Sequence, residues 1–286
     1  TGIRLEMELQ SVIIPTTVVQ NIINCVETAG VEVNGLVIKS LASALGALTD
    51  EETRAGVISL CIGGGTTGVA LYTDGRPVKL SIIPIGGDHI TNDLAYVMKI
   101  PISKAEEIKK MVSLAPEGDE EELDVDVRGK TKTFNSREAS EVVNCRLEEL
   151  FGEHVIHQLS DYTLHMFPAG VVLSGGVAKT PGVEFFASEL LNLPVRIAEP
   201  LDMYQMPPGR NDCEYTTVAG IVRYMTSKER NPYRFIETPI SQLRSGSSFG
   251  PLQPPPGKNA RKPANLSREG FRGVVEYIKK SVKELF

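Results

Sequence analysis

Residues 57–85 constrain the fold more than any other part of the sequence. Three apolar runs, VISLCI, TGVALY and VKLSIIPI, are separated by a glycine triplet at 63–65 and by Thr-Asp-Gly-Arg at 73–76. Asp-Gly between such runs is typical of a tight hairpin turn. The glycine triplet leads into a strand, whereas Walker and dinucleotide-binding loops lead into a helix. The segment therefore predicts three consecutive strands joined by short turns.

The other segments alternate between helical and strand periodicity, which predicts an α/β fold with a mixed sheet covered by helices. Further strands are expected at 3–14, 33–38, 170–176 and 194–198, with a hairpin around Arg128-Gly129. Helices are expected at 15–29, 41–48, 89–98, 103–112, 136–161, 181–191 and 215–226. Ser103 is predicted to begin its helix in a capping box with Glu106.

The C-terminal end differs in composition from the rest of the chain. Seven of the eighteen prolines lie between Pro232 and Pro263, which predicts a disordered linker. Residues 258–286 carry eight Lys or Arg and three Asp or Glu, a net charge of +5 in a chain whose total is −6. The other residues therefore carry −11. That acidic body argues against a nucleic-acid partner, whereas the basic end suits an anionic surface.

The final segment, REGFRGVVEYIKKSVKELF, follows the i, i+3, i+4, i+7 spacing of an amphipathic helix. Basic residues beside its apolar stripe favour a helix that lies at the headgroup level of a membrane. A core helix or a helix for a partner protein would give a similar pattern. The residues expected to bind the membrane are Phe271, Val274, Val275, Ile278, Lys279, Lys280, Val282, Leu285 and Phe286.

Two glycine turns, each after an apolar strand, are candidates for one ligand site. In the first turn, backbone N–H groups with the hydroxyls of Thr66 and Thr67 suit phosphate oxygens. The second turn, Ser-Gly-Gly at 174–176, starts a helix and offers bare backbone to a flat ring or a ribose. Each turn alone is also compatible with an ordinary loop. Together they predict a nucleotide site.

These motifs carry a family resemblance. The stretch VISLCIGGGTTGVALYTDGRPVKLSIIPIGGDHITNDLA, with VVLSGGVAKTPGV, resembles the phosphate and adenosine motifs of the actin-like ATPases, most closely those of the FtsA family of bacterial cell-division proteins. The segments ISKAEEIKK and YTTVAGIVRYM are similar to that family as well. The resemblance runs through almost the whole chain but covers only the later two-thirds of the family pattern. It implies a chain that begins after the family's first phosphate loop.

The resemblance implies an actin-like fold of two ribonuclease H-like halves around a nucleotide cleft, here without its N-terminal part. Residues 1–50 would end the family's extra subdomain and return into the first half. Residues 51–95 and 162–226 would form the base of the second half, and 96–161 its small lobe. Residues 227–266 would be the linker and 267–286 the amphipathic helix.

The resemblance also implies residues and partners. It implies a protein that binds ATP, with or without magnesium, assembles into polymers on the cytoplasmic membrane face, and anchors FtsZ at the division septum beside other division proteins. Lys132 and Arg146 in the small lobe would bind the C-terminal peptide of FtsZ. The residues expected to bind ATP are Gly63, Gly64, Gly65, Thr66, Thr67, Gly86, Glu106, Lys109, Gly175 and Gly176.

Two positions depart from the commoner family pattern D-I-G-G-G-T-T-D. Cys61 and Gly68 stand where that pattern has aspartates, and a thiol is a poor substitute for the oxygen ligands that magnesium prefers. We therefore expect nucleotide binding with at most weak hydrolysis, no catalytic residue and no protein-held metal. An assembly adaptor like the pilus protein PilM, or a kinase or chaperone ATPase of the actin superfamily, is the alternative.

Overall fold

The computed structural model describes residues 11–114, 122–127, 130–202, 212–230 and 240. The chain divides into two units, residues 1–246 and 247–286. The second unit, which holds all the predicted membrane-binding residues, lies outside the described residues, as does most of the predicted linker. Within the described part, no helix has both the length and the apolar character needed to cross a bilayer.

The strands form a five-stranded mixed sheet and a separate hairpin. In chain order they are β1 (Val57–Ile62), β2 (Thr67–Thr73), β3 (Arg76–Ile83), β4 (Glu122–Val127), β5 (Lys130–Asn135), β6 (Val171–Ser174) and β7 (Val195–Ile197). The larger sheet has the order β3-β2-β1-β6-β7. Its first three strands pair in antiparallel fashion, and β6 and β7 continue from β1 in parallel. The three consecutive strands predicted from the sequence are confirmed.

The turn between β2 and β3 explains why Asp-Gly is a reliable signal there. Asp74 and Gly75 both have a positive φ, of 52° and 75°. Two left-handed residues in succession are the signature of a type I′ turn, whose twist matches that of paired strands. Glycine adopts this conformation without steric cost, and aspartate tolerates it better than most residues do.

Nine α-helices and one π-helical segment are present among the described residues. They are α1 (Thr16–Thr28), α2 (Lys39–Ala47), α3 (Asp50–Ala55), α4 (Gly87–Met98), α5 (Ile102–Met111), α6 (Ser136–Glu148), the π-helix (Glu149–Val155), α7 (Ile156–Leu159), α8 (Val183–Leu191) and α9 (Thr216–Arg230). All six residues of β1 are buried, so this strand separates two apolar cores. Ile58, Leu60 and Ile62 belong to the larger core with α4, α5, α6 and α8, whereas Val57 belongs to a smaller core with α2.

Helices α2 and α9 cross at a contact between glycines. A Cβ on Gly46 would overlap the carbonyl oxygen of Thr216, and a Cβ on Gly220 would overlap that of Ala42. Only glycine allows two helix backbones to approach this closely. Arg223 of α9 also donates hydrogen bonds to the carbonyl oxygens of Leu45 and Leu48 at the end of α2. The crossing thus fixes the position of α2 against the sheet.

Three secondary-structure predictions are wrong. Residues 33–38 do not form a strand and pair with none of the described strands. Helix α5 starts at Ile102 and has no side-chain cap, because its N-cap residue is Pro101, whose side chain has no hydrogen-bond acceptor, and Glu106 bonds to Thr91 instead. The capping box lies instead at Thr49 and Glu52, where the backbone N–H of each residue donates to the side chain of the other. The helix expected at 136–161 is interrupted by the π-helix and ends at Leu159.

Candidate nucleotide site

The first glycine turn is a tight loop between β1 and β2. The N–H of Gly63 donates to the carbonyl oxygen of Thr66 at 3.0 Å, which closes the loop on itself. Gly64 and Gly65 are exposed at its tip, and a Cβ on Gly65 would meet no atom within 4 Å. Bare backbone therefore faces open space at Gly65, as a phosphate cradle requires.

The start of helix α4 packs against this loop through backbone atoms. The N–H groups of Gly87 and Asp88 donate to the carbonyl oxygens of Gly63 and Gly64, both at 2.8 Å. A Cβ on Gly86 would overlap those same two carbonyl oxygens, so this position accommodates only glycine. Gly86 thus supports the loop from behind. The carbonyl groups of Gly63 and Gly64 are thus hydrogen-bonded to the start of α4.

Helix α5 brings a charged pair to the same place. Lys109 Nζ donates to the Gly87 carbonyl at 3.2 Å and to Thr91 Oγ1 at 2.9 Å, and it forms an ion pair with Glu106. Thr91 Oγ1 also donates to Glu106 Oε2 at 2.6 Å. Burial raises the pKa of the Glu106 carboxyl, but the bonds from Lys109 and Thr91 outweigh it and hold that pKa below its usual value. The carboxylate is therefore ionised at neutral pH.

The second glycine turn follows β6 and lies against the end of β1. Gly175 has a φ of 88° and its N–H donates to the carbonyl of Cys213 at 3.1 Å. The Cys213 thiol donates to the Gly175 carbonyl at 3.4 Å, and burial raises the pKa of that thiol to about 11. A Cβ on Gly176 would meet nothing within 4 Å, so this residue presents bare backbone. Gly175 shapes the turn, and Gly176 is the residue left open.

The two turns meet at Gly87. A Cβ on Gly87 would lie 3.1 Å from Val177 Cγ2, 3.3 Å from Lys109 Nζ and 3.7 Å from the Gly63 carbonyl oxygen. One backbone position therefore contacts the phosphate-type loop, the α5 pair and the segment after Gly176. The structure brings together the residues that the sequence separated widely.

The Thr67 hydroxyl, which was predicted to bind a phosphate, is engaged within the protein. The side chain of Thr67 is fully buried, and its hydroxyl donates to the carbonyl of Ile85 at 2.8 Å. That bond ties the start of β2 to the chain after β3, so the hydroxyl does not face a phosphate. Thr66, which is partly exposed, remains the hydroxyl available at the loop.

Cys61 is a buried residue of β1. It is 2% exposed, and its sulfur lies 3.8 Å from Thr217 Oγ1 of α9. Its strand partner Gly68 is covered by α2, since a Cβ on Gly68 would lie 3.2 Å from Ser40 Cα. The two positions that depart from the family pattern therefore contact α2 and α9.

Sequence reasoning missed two charged residues at the loop. Lys39, the first residue of α2, donates from Nζ to the Thr66 carbonyl at 3.2 Å. Both carboxylate oxygens of Asp88 lie 3.0 Å from the place of a Cβ on Gly64. Asp88 follows the Gly-Gly pair after β3 and could have been proposed from that position. Lys39 belongs to no motif, and only the packing of α2 reveals it.

The family model described as "Cell division protein FtsA" matches residues 60–220, which contain both glycine turns and the α5 pair. The chain belongs to the FtsA family. It is 32% identical over 259 residues to the FtsA protein of Pseudomonas aeruginosa, and covers 60% of that protein with 89% of its own length. It is 33% identical over 234 residues to the FtsA protein of Bacillus subtilis, and the match covers 80% of this chain and 52% of that protein. The chain thus spans roughly half to two-thirds of these FtsA relatives.

Solved structures agree on the fold. The ADP-bound MreB5 of Spiroplasma citri superposes with a TM-score of 0.65 at 20% identity, over 78% of this chain and 69% of that one. The PilM–PilN complex of type IV pilus biogenesis gives a TM-score of 0.54 at 17% identity, over 71% and 56%. Both are actin-like proteins, so the predicted actin-like fold is confirmed.

The two residues predicted to bind FtsZ lie in different settings. Arg146 of α6 donates to the carboxylate of Asp93 in α4 at 2.6 and 2.9 Å and pairs with Glu149. The bond to Asp93 raises the pKa of Arg146 further above its usual value. Lys132 of β5 is exposed, with Nζ 5.6 Å from the ring centre of Phe134. Their role in peptide binding stays a prediction.

Proposed function

We propose that this chain is the nucleotide-binding part of an FtsA-type cell-division protein, which binds ATP and assembles at the division septum. The observation that supports it best is the convergence of both glycine turns and the Glu106–Lys109 pair around the start of α4. The match to the FtsA family supports the role in division. Structures of actin-like neighbours were solved with ADP and AMPPNP, which supports a nucleotide as the ligand.

The chemistry of the described residues supports a nucleotide as the ligand. The backbone at Gly64 and Gly65 and the hydroxyl of Thr66 suit phosphate oxygens. Glu106 suits ribose hydroxyls, because an ionised carboxylate accepts hydrogen bonds from them. The bare backbone of Gly176 suits the nucleoside, and Lys109, whose three N–H donors bind Gly87, Thr91 and Glu106, holds the Glu106 carboxylate in place. Since the thiol of Cys61 is buried where the commoner pattern has a carboxylate, we propose at most weak hydrolysis.

Replacing Lys109 by alanine is expected to weaken ATP binding about tenfold or more, since hydrogen bonds to charged groups contribute about 1.5–3 kcal/mol. The change also removes the bonds that hold Glu106 and Gly87 in place. Titration of the intact protein with a fluorescent adenine nucleotide measures the affinity. Lys104→Ala is the matched control, because Lys104 lies on the same helix in an exposed pair with Glu107. Equal affinities for the two variants would contradict the proposed site.

The small lobe is proposed as the binding site for an acidic peptide from FtsZ. Exposed Lys132 and the guanidinium of Arg146 are the cations that support this partner. Because Asp93 and Glu149 already bind Arg146, a peptide carboxylate would have to share the guanidinium with them or displace them.

We also propose the lobe boundaries that the resemblance implies. The five-stranded sheet falls within 51–95 and 162–226, and the β4–β5 hairpin with α5 and α6 falls within 96–161.

Attachment to the cytoplasmic face of the membrane is proposed for residues 267–286, with self-assembly that multiplies weak individual anchors. Deleting residues 268–286 is expected to abolish sedimentation of the intact protein with anionic liposomes. Each Lys or Arg near such a surface contributes about 1 kcal/mol, so neutral liposomes should retain far less of the undeleted protein. Undiminished binding after the deletion would rule out this anchor. It would leave the PilM-type adaptor as the better description.

A further inference from the structure

Lys39 places a positive charge at the phosphate-type loop. Its ammonium donates to the Thr66 carbonyl at 3.2 Å, and it lies 2.5 Å from where a Cβ on Gly63 would be. The side chain is partly buried, so its charge is less screened than that of a surface lysine. It approaches the loop from α2, whereas Gly86, Gly87 and Lys109 approach from α4 and α5.

The ammonium of Lys39 has hydrogen-bond donors that the bond to Thr66 does not use. A lysine carries three N–H donors, and the bond to Thr66 uses one of them. In the described part of the chain, no carboxylate lies within ion-pair distance of Lys39 Nζ. Lysine is a compact cation well suited to phosphate, which it contacts as a point charge.

The position of α2 holds Lys39 in place. Ser40, the next residue, is 1% exposed and packs on Gly68 of β2. Farther along the helix, Gly46 is in backbone contact with α9. The backbone of Lys39 is therefore fixed beside the loop, and the bond to Thr66 restrains its side chain. The Lys39 side chain consequently loses less conformational entropy on contacting an anion than a mobile lysine side chain would.

We propose that Lys39 binds the outer phosphates of the nucleotide and supplies there the positive charge that a divalent cation supplies in many phosphate sites. This inference rests on the proposed function, and it makes binding of ATP and ADP nearly independent of magnesium. Cys61, where the commoner pattern has an oxygen ligand, is consistent with that arrangement. Asp88 is the competing group, because its carboxylate beside Gly64 offers one oxygen ligand to a metal ion.

The test compares the affinities of the intact protein for ATP, ADP and AMP in EDTA and in excess magnesium. The undisturbed protein is expected to bind ATP with affinities that differ by less than about threefold between the two buffers. Lys39→Met keeps the apolar stem and removes the charge, so ATP and ADP binding in EDTA should weaken about tenfold or more. AMP binding should change little, and Lys39→Arg should keep most of the affinity for ATP.

Asp88→Asn distinguishes the two charges at the loop. If Lys39 is the phosphate ligand, removing the Asp88 carboxylate should leave ATP binding in EDTA equal or stronger, since a repulsive charge is lost. Binding that needs magnesium and is lost in Asp88→Asn would overturn the inference in favour of a metal bridge. Unchanged ATP affinity in Lys39→Met would overturn it too, while AMP binding that persists would leave the proposed function standing. A protein that binds no adenine nucleotide in either buffer would overturn both.

Discussion

Gly220→Ala is expected to lower the free energy of unfolding by about 3 kcal/mol, the upper end of the usual cost of overpacking a tight contact. The added Cβ would overlap the carbonyl oxygen of Ala42 and lie 2.9 Å from the backbone nitrogen of Gly46. Those atoms belong to the backbone of α2, so no side-chain rotation can relieve the clash. The two helices must move apart, and the smaller core between α2 and the sheet would open with them.

Urea unfolding followed by circular dichroism measures this loss. Gly152→Ala is the matched control, because Gly152 is also helical but a Cβ there would meet nothing within 4 Å. Alanine in place of a helical glycine should be neutral or stabilising by up to about 1 kcal/mol. If Gly220→Ala were as stable as Gly152→Ala, the close crossing of α2 and α9 would be wrong.

The crossing also connects stability to the ligand site. Helix α2 carries Lys39 at one end and touches Gly220 through Ala42 near its middle. Displacing α2 from α9 would shift the ammonium away from Thr66, since both contacts lie on one rigid helix of nine residues. We therefore expect a refolded population of Gly220→Ala to bind nucleotide less tightly than Gly152→Ala does.

The elements best predicted from the sequence are those whose conformation is determined by residues adjacent in the chain. The strands within residues 57–83 and their Asp-Gly turn follow from local alternation and from the conformations that Asp74 and Gly75 accept. The helix carrying Glu106 and Lys109 was also predicted, because its periodicity is local. The resemblance to a family then suggested that two glycine turns far apart in sequence face one ligand.

The predictions failed where contacts between residues far apart in the sequence determine the position of a side chain. Thr67 was expected at a phosphate because it adjoins the glycine triplet, but its pairing beside Ile83 and its bond to Ile85 bury it. Lys39 was missed because it reaches Thr66 across 27 residues, and no local pattern encodes that contact. The interruption of the long helix at 149–155 was also missed, since its apolar periodicity continues through the π-helical segment.

Gly175→Ala is expected to cost about 3 kcal/mol of stability, whereas Gly176→Ala next to it should cost almost none. Gly175 has a φ of 88° and a ψ of 175°, a backbone conformation that is essentially restricted to glycine and costs other residues about 1–3 kcal/mol. Its Cβ would also overlap the carbonyl oxygen of Ile62, at the end of the central strand β1. A Cβ on Gly176 would meet no atom within 4 Å. The two variants therefore add the same methyl group to a closed position and to an open one.

A second measurement, nucleotide affinity, should also distinguish Gly176→Ala from Gly175→Ala. In Gly176→Ala the protein should unfold at the urea concentration of the unaltered protein, but bind ATP more weakly, because the methyl occupies space where bare backbone would face the nucleoside. AMP should be affected as much as ATP, since the change lies away from the outer phosphates, whereas Lys39→Met should affect ATP and ADP alone. Unchanged binding of both nucleotides by Gly176→Ala would exclude the second glycine turn from the site. The first turn would then have to bind phosphate without it.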